Sequence, residues 1–77
     1  MKELLEVMAK GLVEDKDAVK VTVDEPDEEG VVVYHLSVSE GDVGRVIGKQ
    51  GKIAKAIRTV MRSAAIRSGQ HVSVEID

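Results

Sequence analysis

Two glycines separated by two polar residues, Gly48-Lys49-Gln50-Gly51, are the residues of this chain best suited to chemistry. Glycine adopts turn dihedral angles closed to other residues and carries no Cβ, so a sugar-phosphate chain could approach the main chain closely at Gly48 and Gly51. The residues that follow predict a helix beginning at about Lys52, and the free N–H groups and dipole of its first turn favour an anion in the same space. Lys49 and Lys52 add positive charge. The pattern therefore predicts noncovalent binding of a phosphate backbone.

The charges of the chain are distributed unevenly along the sequence. The net charge of −3 by itself argues against a nucleic-acid partner. However, residues 1–40 carry four lysines and eleven acidic residues, whereas residues 41–70 carry seven lysines or arginines and a single acid, Asp42. One continuous basic stretch on an acidic body is the arrangement that a polyanion binder needs.

Composition restricts the class of protein. With 43% apolar and 32% charged residues, the 77-residue chain matches one small folded domain over residues 1–77. Cysteine is absent, which excludes disulfides and thiolate chemistry and is consistent with a reducing compartment, so the cytoplasm is the expected location. Charges interrupt the apolar residues near the N-terminus, so no signal sequence or membrane-spanning helix is predicted there.

Hydrophobic periodicity predicts the elements that position the loop. Their order along the chain is α-β-β-α-α-β. This order indicates an α+β fold, with a three-stranded sheet and helices that pack on one face of it. Ser39 or Asp42 could cap the short helix before the loop, and Gly69 could end the long helix after it. The predicted elements are a helix over about 2–14, strands at 19–23 and about 31–38 forming a hairpin, a short helix at 43–47, a long helix over about 52–68 and a last strand at 72–76.

The segment from Val46 to Ile57 resembles the I-G-x-x-G-x-x-I signature of KH domains. The order of the predicted elements around it is similar to the type II KH topology, and the length and N-terminal start resemble the stand-alone KhpA family of small bacterial RNA-binding proteins. The resemblance implies that the loop clamps the backbone of about four unpaired nucleotides. It implies loop contacts from Gly48, Lys49, Gln50 and Gly51 and a groove for the bases lined by Val46, Ile47, Ile53 and Ile57.

The basic side of the long helix completes the predicted site. Lys52 and Lys55 are expected to contact RNA, with Lys49 and Lys52 as the stronger candidates. Lys55, Arg58 and Arg62 are also consistent with the solvated face of an amphipathic helix, and for the two arginines, which lie farther from the loop, the two interpretations are equally supported. No cofactor and no metal are predicted.

The resemblance also implies partners. Single-stranded RNA is the expected ligand, and an RNA chaperone or post-transcriptional regulator is the expected role. Members of this family self-associate and pair with a larger KH-containing protein of the Jag type, so the same partners are expected here.

Catalysis finds little support in the residues. The stretch Gly44–Gln50 resembles a nucleotide-binding P-loop, but its spacer is one residue short and Gln50 stands where Ser or Thr must bind Mg²⁺. The only histidines, His35 and His71, lack a triad partner and make a poor metal site as a pair. The acidic run Glu25–Glu29 lacks the alternating ligand spacing of a calcium loop. We therefore expect that the protein is not an enzyme.

A KH-like protein-interaction module acting mainly through dimerisation is the alternative from another class. Ile66 falls near the basic arc of the long helix, where an apolar side chain has no intramolecular reason to lie. A second subunit could cover it, so Ile66 is a candidate dimer contact.

Overall fold

The computed structural model describes residues 1–77, and its helices and strands follow the predicted order. The predicted α+β class is therefore confirmed. Short 3₁₀ turns occupy Lys16–Ala18, Glu40–Asp42 and Lys49–Gly51. The elements are α1 (Lys2–Lys10), β1 (Lys20–Val23), β2 (Val31–Ser37), α2 (Val43–Ile47), α3 (Lys52–Arg67) and β3 (His71–Ile76).

The three strands form one sheet in the order β1-β2-β3. β1 and β2 are the predicted antiparallel hairpin, in which Val21 lies opposite Leu36. β2 and β3 are parallel, and Tyr34 lies opposite Val74. A parallel pair requires a long crossover, which α2 and α3 provide. The loop between these two helices therefore lies at the end of the sheet where β2 ends and β1 begins.

The helices cover one face of the sheet, as predicted. Val21, Tyr34, Leu36 and Val74 project from this face into the core. The residues between them in each strand project from the opposite face. Those of β1 and β3 are exposed: Lys20, Thr22, His71, Ser73 and Glu75. The helices complete the core with Leu5 and Ala9 from α1, Val46 from α2, and Ile57 and Met61 from α3, together with Val13 from the connection after α1.

Helix α1 is shorter than predicted. It ends at Lys10 rather than near residue 14, because Gly11 is a weak helix former and the chain then turns inward. The N–H groups of Leu12 and Val13 both donate to the carbonyl oxygen of Ala9, and the Val13 side chain is buried in the core.

Two further expectations need correction. Neither Ser39 nor Asp42 caps a helix through its side chain. The alternation of apolar and polar residues from Val19 to Val23 predicts Val23 on the half-buried side of β1, but Val23 is 44% exposed because it lies at the far end of a short edge strand. The predicted stop at Gly69 is confirmed, since this glycine has φ +71° and the N–H of Gln70 folds back to Ala65.

Candidate nucleic-acid interface

The loop between α2 and α3 has a backbone that suits glycine at three of its four positions. Gly48 has φ 75° and ψ 173°, and Gly51 has φ 75° and ψ 14°. Gln50 has φ 59° and is the only residue other than glycine with a positive φ. These left-handed residues turn the chain sharply from the end of α2 into the first turn of α3.

The two glycines are required for different reasons. A Cβ atom built on Gly48 would stand 2.6 Å from Cγ1 of Ile53, so this position is closed by packing within the protein. A Cβ atom on Gly51 would meet nothing within 4 Å, so only its positive φ favours glycine there. The open space for an approaching ligand therefore lies on the Gly51 side of the loop.

The loop and the start of α3 are electrostatically suited to an anion. Lys49, Lys52 and Lys55 are exposed, and none of them pairs with a carboxylate. The first turn of α3 contains no acidic residue, and no side chain caps its N-terminus at Gly51. Its N–H groups and the three ammonium groups thus form a positive end that no carboxylate within the chain neutralises.

Helix α2 is anchored to the rest of the protein at both ends. Near its C-terminus, the fully buried Val46 anchors α2 in the core, while the hydrogen bond of 2.9 Å from the N–H of Gly48 to the carbonyl oxygen of Gly44 closes the helix itself. At the other end, the Asp42 carboxylate is 3% exposed and accepts hydrogen bonds from the backbone N–H groups of Asp15 and Glu14. These anchors hold the helix from which the loop projects.

An apolar groove of about 340 Å³ lies beside the loop, between α1 and α3. Lys52 and Ile53 form its end nearest the loop, so the groove and the positive end of α3 are continuous. The residues that line the groove are Met8, Leu12, Lys52, Ile53, Ala56, Ile57 and Val60.

Several of the groove residues were not predicted. Met8, Leu12, Ala56 and Val60 line the groove, but neither the charge pattern nor the KH resemblance points to them. The signal for them in the sequence is the width of the apolar face of α1. This face is wider than the core alone needs, which indicates that some of its side chains face outward.

The structure brings most of the predicted site residues together around the loop. Ile53 and Ile57 line the groove. Ile47, which directly precedes the loop in the sequence, is half-buried. Val46 does not reach the surface, because its side chain belongs to the core. Ala54 stands where the I-G-x-x-G-x-x-I pattern has its last isoleucine, and its small side chain is buried.

The sequence does not decide whether Arg58 and Arg62 contact RNA, and the structure places the two side chains in different surroundings. The Nε atom of Arg58 donates to the carbonyl oxygen of Val74 over 3.2 Å, so this side chain lies across β3. Arg62 is exposed and has no ion-pair partner.

A second charged cluster lies on the helix-free face of the sheet. The Nε2 atom of His35 lies 2.8 Å from Oδ2 of Asp24, and its Nδ1 lies 3.5 Å from Oε2 of Glu75. The hydrogen bond to Asp24 raises the pKa of His35 above 6.5, and the charges of Asp24, Glu75 and Asp77 act in the same direction, against a smaller effect of burial. Neither this cluster nor any other group of three or more His, Asp or Glu side chains is arranged so that it could hold a metal ion. None of the helices has the length and hydropathy that a membrane span requires.

Comparison with known proteins identifies the family. The family model of the KhpA/KhpB KH domain matches residues 2–76, which is almost the whole chain. The chain belongs to the KhpA/KhpB KH-domain family. Curated members include the RNA-binding protein KhpA of Clostridium perfringens, 51% identical over 76 residues, and that of Clostridium acetobutylicum, 50% identical over 76 residues. In both cases the alignment covers 99% of each chain. The KhpA resemblance is therefore confirmed.

Solved structures share the fold of this KhpA/KhpB domain. Aquifex aeolicus Era bound to GDP·AlF4⁻ superposes with a TM-score of 0.67 at 22% identity, over 97% of this chain and 28% of the Era chain. Era in complex with MgGDPNP and nucleotides 1506–1542 of 16S ribosomal RNA gives the same values. The domain thus corresponds to somewhat more than a quarter of a larger protein in those structures.

Proposed function

We propose that the protein is a non-enzymatic RNA-binding protein, a single KH domain over residues 1–77 that grips the backbone of single-stranded RNA through Gly48–Gly51. The observation that carries this proposal is the unneutralised positive end of α3 beside an open, glycine-containing turn. Its relatives are named RNA-binding proteins, which supports the same ligand. The proposed role is that of an RNA chaperone or post-transcriptional regulator in the cytoplasm.

The proposed site divides into a backbone-binding part and a base-binding part. Lys49, Lys52 and Lys55 are exposed cations around the loop and would approach the phosphates. Gln50 projects from the tip of the turn, where its exposed amide could donate to a phosphate or to a ribose hydroxyl. Ile53, which lines the groove, offers an apolar surface to a base. Val46, Ile47 and Ile57 would hold the loop and the groove in place from beneath.

The bases would be bound without aromatic stacking. Tyr34 is the only aromatic residue of the chain, and it is buried in the core. Stacking on aromatic rings supplies about 1–3 kcal/mol per base in many single-strand binders, and that contribution is absent here. Affinity would then come mainly from the backbone, and the protein would tolerate many RNA sequences.

The test is a double substitution at the tip of the loop. Lys49→Asp with Gln50→Asp places two carboxylates where the phosphates would lie, and both native side chains are exposed, so the fold should persist. We expect no detectable binding of unstructured oligoribonucleotides, measured by fluorescence anisotropy at low ionic strength.

A control with the same substitutions elsewhere isolates the site. Lys2→Asp with Gln70→Asp changes the same two residue types at exposed positions, at the start of α1 and after the end of α3. The net charge changes equally, so we expect this control to bind RNA within about twofold of the wild-type protein. Equal loss in the two double variants, or retained binding in the folded loop variant, would refute the proposed site.

A second proposal concerns protein partners. Ile66 is 67% exposed on α3, which supports its assignment as a contact with a second copy of the chain or with a larger KH-containing protein of the Jag type. If it is a homodimer contact, Ile66→Asp should lower the mass measured by light scattering. Val7→Asp is the matched control, since Val7 is 69% exposed on α1. An unchanged mass of the Ile66 variant at all concentrations would exclude this contact.

A further inference from the structure

Asp42 is the only charged residue that is buried in this protein. Its Oδ1 atom lies 3.1 Å from the backbone nitrogen of Glu14, and its Oδ2 atom lies 3.0 Å from that of Asp15. The hydroxyl of Ser39 donates to Oδ2 over 2.9 Å, and Nε of Arg45 lies 3.1 Å from Oδ1. A buried carboxylate with this many donors is held in one orientation.

These contacts join two parts of the chain that are distant in sequence. Glu14 and Asp15 belong to the connection between α1 and β1, whereas Asp42 immediately precedes α2. Arg45, on α2, reinforces the junction because its Nη2 atom also lies 2.9 Å from Oε1 of Glu14. The carboxylate therefore attaches the start of α2 to the end of the α1 region.

Helix α2 depends on such attachments for its orientation. It contains only five residues, and a helix of this length is unstable by itself in water. The side chain of Asp42 does not cap it, so the carboxylate contributes to tertiary position rather than to helix initiation. The five residues of α2 separate Asp42 from Gly48, so a change in the direction of α2 moves the loop.

The same attachment affects the groove beside the loop. Leu12, which lines the groove from the α1 side, precedes Glu14 by two residues. Ile53, which lines it from the α3 side, contacts Gly48 at the end of α2. The distance between the two walls is therefore set partly by the bond between Asp42 and the backbone at Glu14.

We propose that Asp42 is a positioning residue for RNA binding, which fixes the loop and the α1 wall of the groove in their binding arrangement without touching RNA itself. This inference rests on the RNA-binding function proposed above. Asp42 lies beneath the surface, so its replacement removes no direct contact with RNA.

The test is Asp42→Asn, which keeps the size of the side chain and replaces one carboxylate oxygen by an amide donor. Because each carboxylate oxygen accepts a backbone N–H, the NH₂ group would face the N–H of Glu14 or that of Asp15 in either orientation, and that donor loses its acceptor. We expect the affinity for an unstructured oligouridylate to fall about tenfold, as it would if the binding-competent arrangement fell to about a tenth of the population. The amide signals of residues 48–52 should shift in the free protein.

Two further measurements distinguish positioning from general destabilisation. The salt dependence of binding should keep the wild-type slope, because no phosphate contact is removed, whereas Lys49→Gln should reduce its magnitude by about 0.7. Val74→Ala, a core substitution on β3, should lower the free energy of unfolding and leave the affinity unchanged at temperatures where it is folded.

The proposal is overturned if folded Asp42→Asn binds as tightly as the wild-type protein. Should this variant not fold, Ser39→Ala removes only one of the hydrogen bonds to the carboxylate and replaces it in the test. We expect a two- to threefold loss of affinity for Ser39→Ala, and wild-type affinity would then refute positioning. An absence of RNA binding by the wild-type protein would instead refute the proposed function.

Discussion

Gly48 and Ile53 are in direct contact across the loop. A methyl group on Gly48 would lie 2.6 Å from Cγ1 and 2.8 Å from Cβ of Ile53. The first glycine of the loop is thus packed against the apolar residue that begins the groove. This contact links the loop to the groove, because Gly48 packs against a side chain that lines the groove.

Replacement of the two loop glycines should have unequal effects on stability. Gly48→Ala adds a clash to an unfavourable backbone conformation, so we expect a loss of about 3 kcal/mol, combining ~1–3 kcal/mol of strain with ~1–3 kcal/mol of overpacking. Gly51→Ala has space for its methyl group and should lose only about 1–2 kcal/mol. Urea unfolding of both variants measures the difference, and equal losses would contradict the packing argument. In a double-mutant cycle, Gly48→Ala should cost less stability in an Ile53→Ala background than in the wild-type protein, because the shorter side chain removes part of the clash.

Gln50 offers a test of backbone strain at the tip of the loop. Its φ of 59° costs a residue with a Cβ about 1–2 kcal/mol, which glycine avoids at the expense of some unfolded-state entropy. Gln50→Gly should therefore leave stability unchanged or raise it by up to about 1 kcal/mol. Lys49→Gly at the neighbouring position, where φ is not positive, should lower stability by about 0.5–1 kcal/mol. Destabilisation by Gln50→Gly equal to that of Lys49→Gly would exclude strain at this residue.

Binding of RNA should weaken as salt rises. If about two to four phosphates are neutralised, the logarithm of the binding constant should fall against the logarithm of salt concentration with a slope of roughly −1.4 to −2.8, near −0.7 per contact. Replacing Lys52 by Gln should bring the slope about 0.7 closer to zero, because one exposed cation beside the loop is removed. Titrations between about 50 and 200 mM salt would reveal this, and a slope near zero for the wild-type protein would rule out backbone binding.

Stability should depend on pH through His35. Its folded-state pKa is raised above 6.5, chiefly by the hydrogen bond to Asp24, so protonated His35 stabilises the sheet. This contribution is complete below the unfolded-state pKa and is lost as pH rises through the folded-state pKa. His35→Gln should therefore be less stable than the wild-type protein in mild acid, and the difference should shrink towards alkaline pH.

Thermal unfolding across this pH range would measure the effect of His35. In an Asp24→Asn background, which removes the main partner, the same His35 substitution should have a smaller effect in mild acid. A difference between wild type and His35→Gln that does not change with pH would show that the Asp24 and Glu75 contacts are not charge-dependent.

Local sequence determined the types of element and the position of the loop. Alternating apolar residues define β2 and β3, and helical spacing of apolar residues defines α3, because these periods follow from backbone geometry alone. Val43–Ile47 was predicted with its observed bounds, and Gly69 ends α3 as expected, since the local signals for both lie within a few residues. The glycine pair and the basic residues after it likewise indicate an anion-binding turn without reference to any tertiary contact.

Contacts between distant residues determined the rest. The burial of Val46, the bond from Asp42 to the backbone 28 residues earlier, and the groove formed where α1 meets α3 depend on how the elements pack. The same holds for Gly48, whose missing side chain is required by Ile53 rather than by a ligand. Sequence periodicity reports which side of an element is apolar, but only packing decides which of those side chains meet each other and which remain open to a partner. The sequence therefore identified the positive turn, while the tertiary structure decided what supports it and which apolar surface lies beside it.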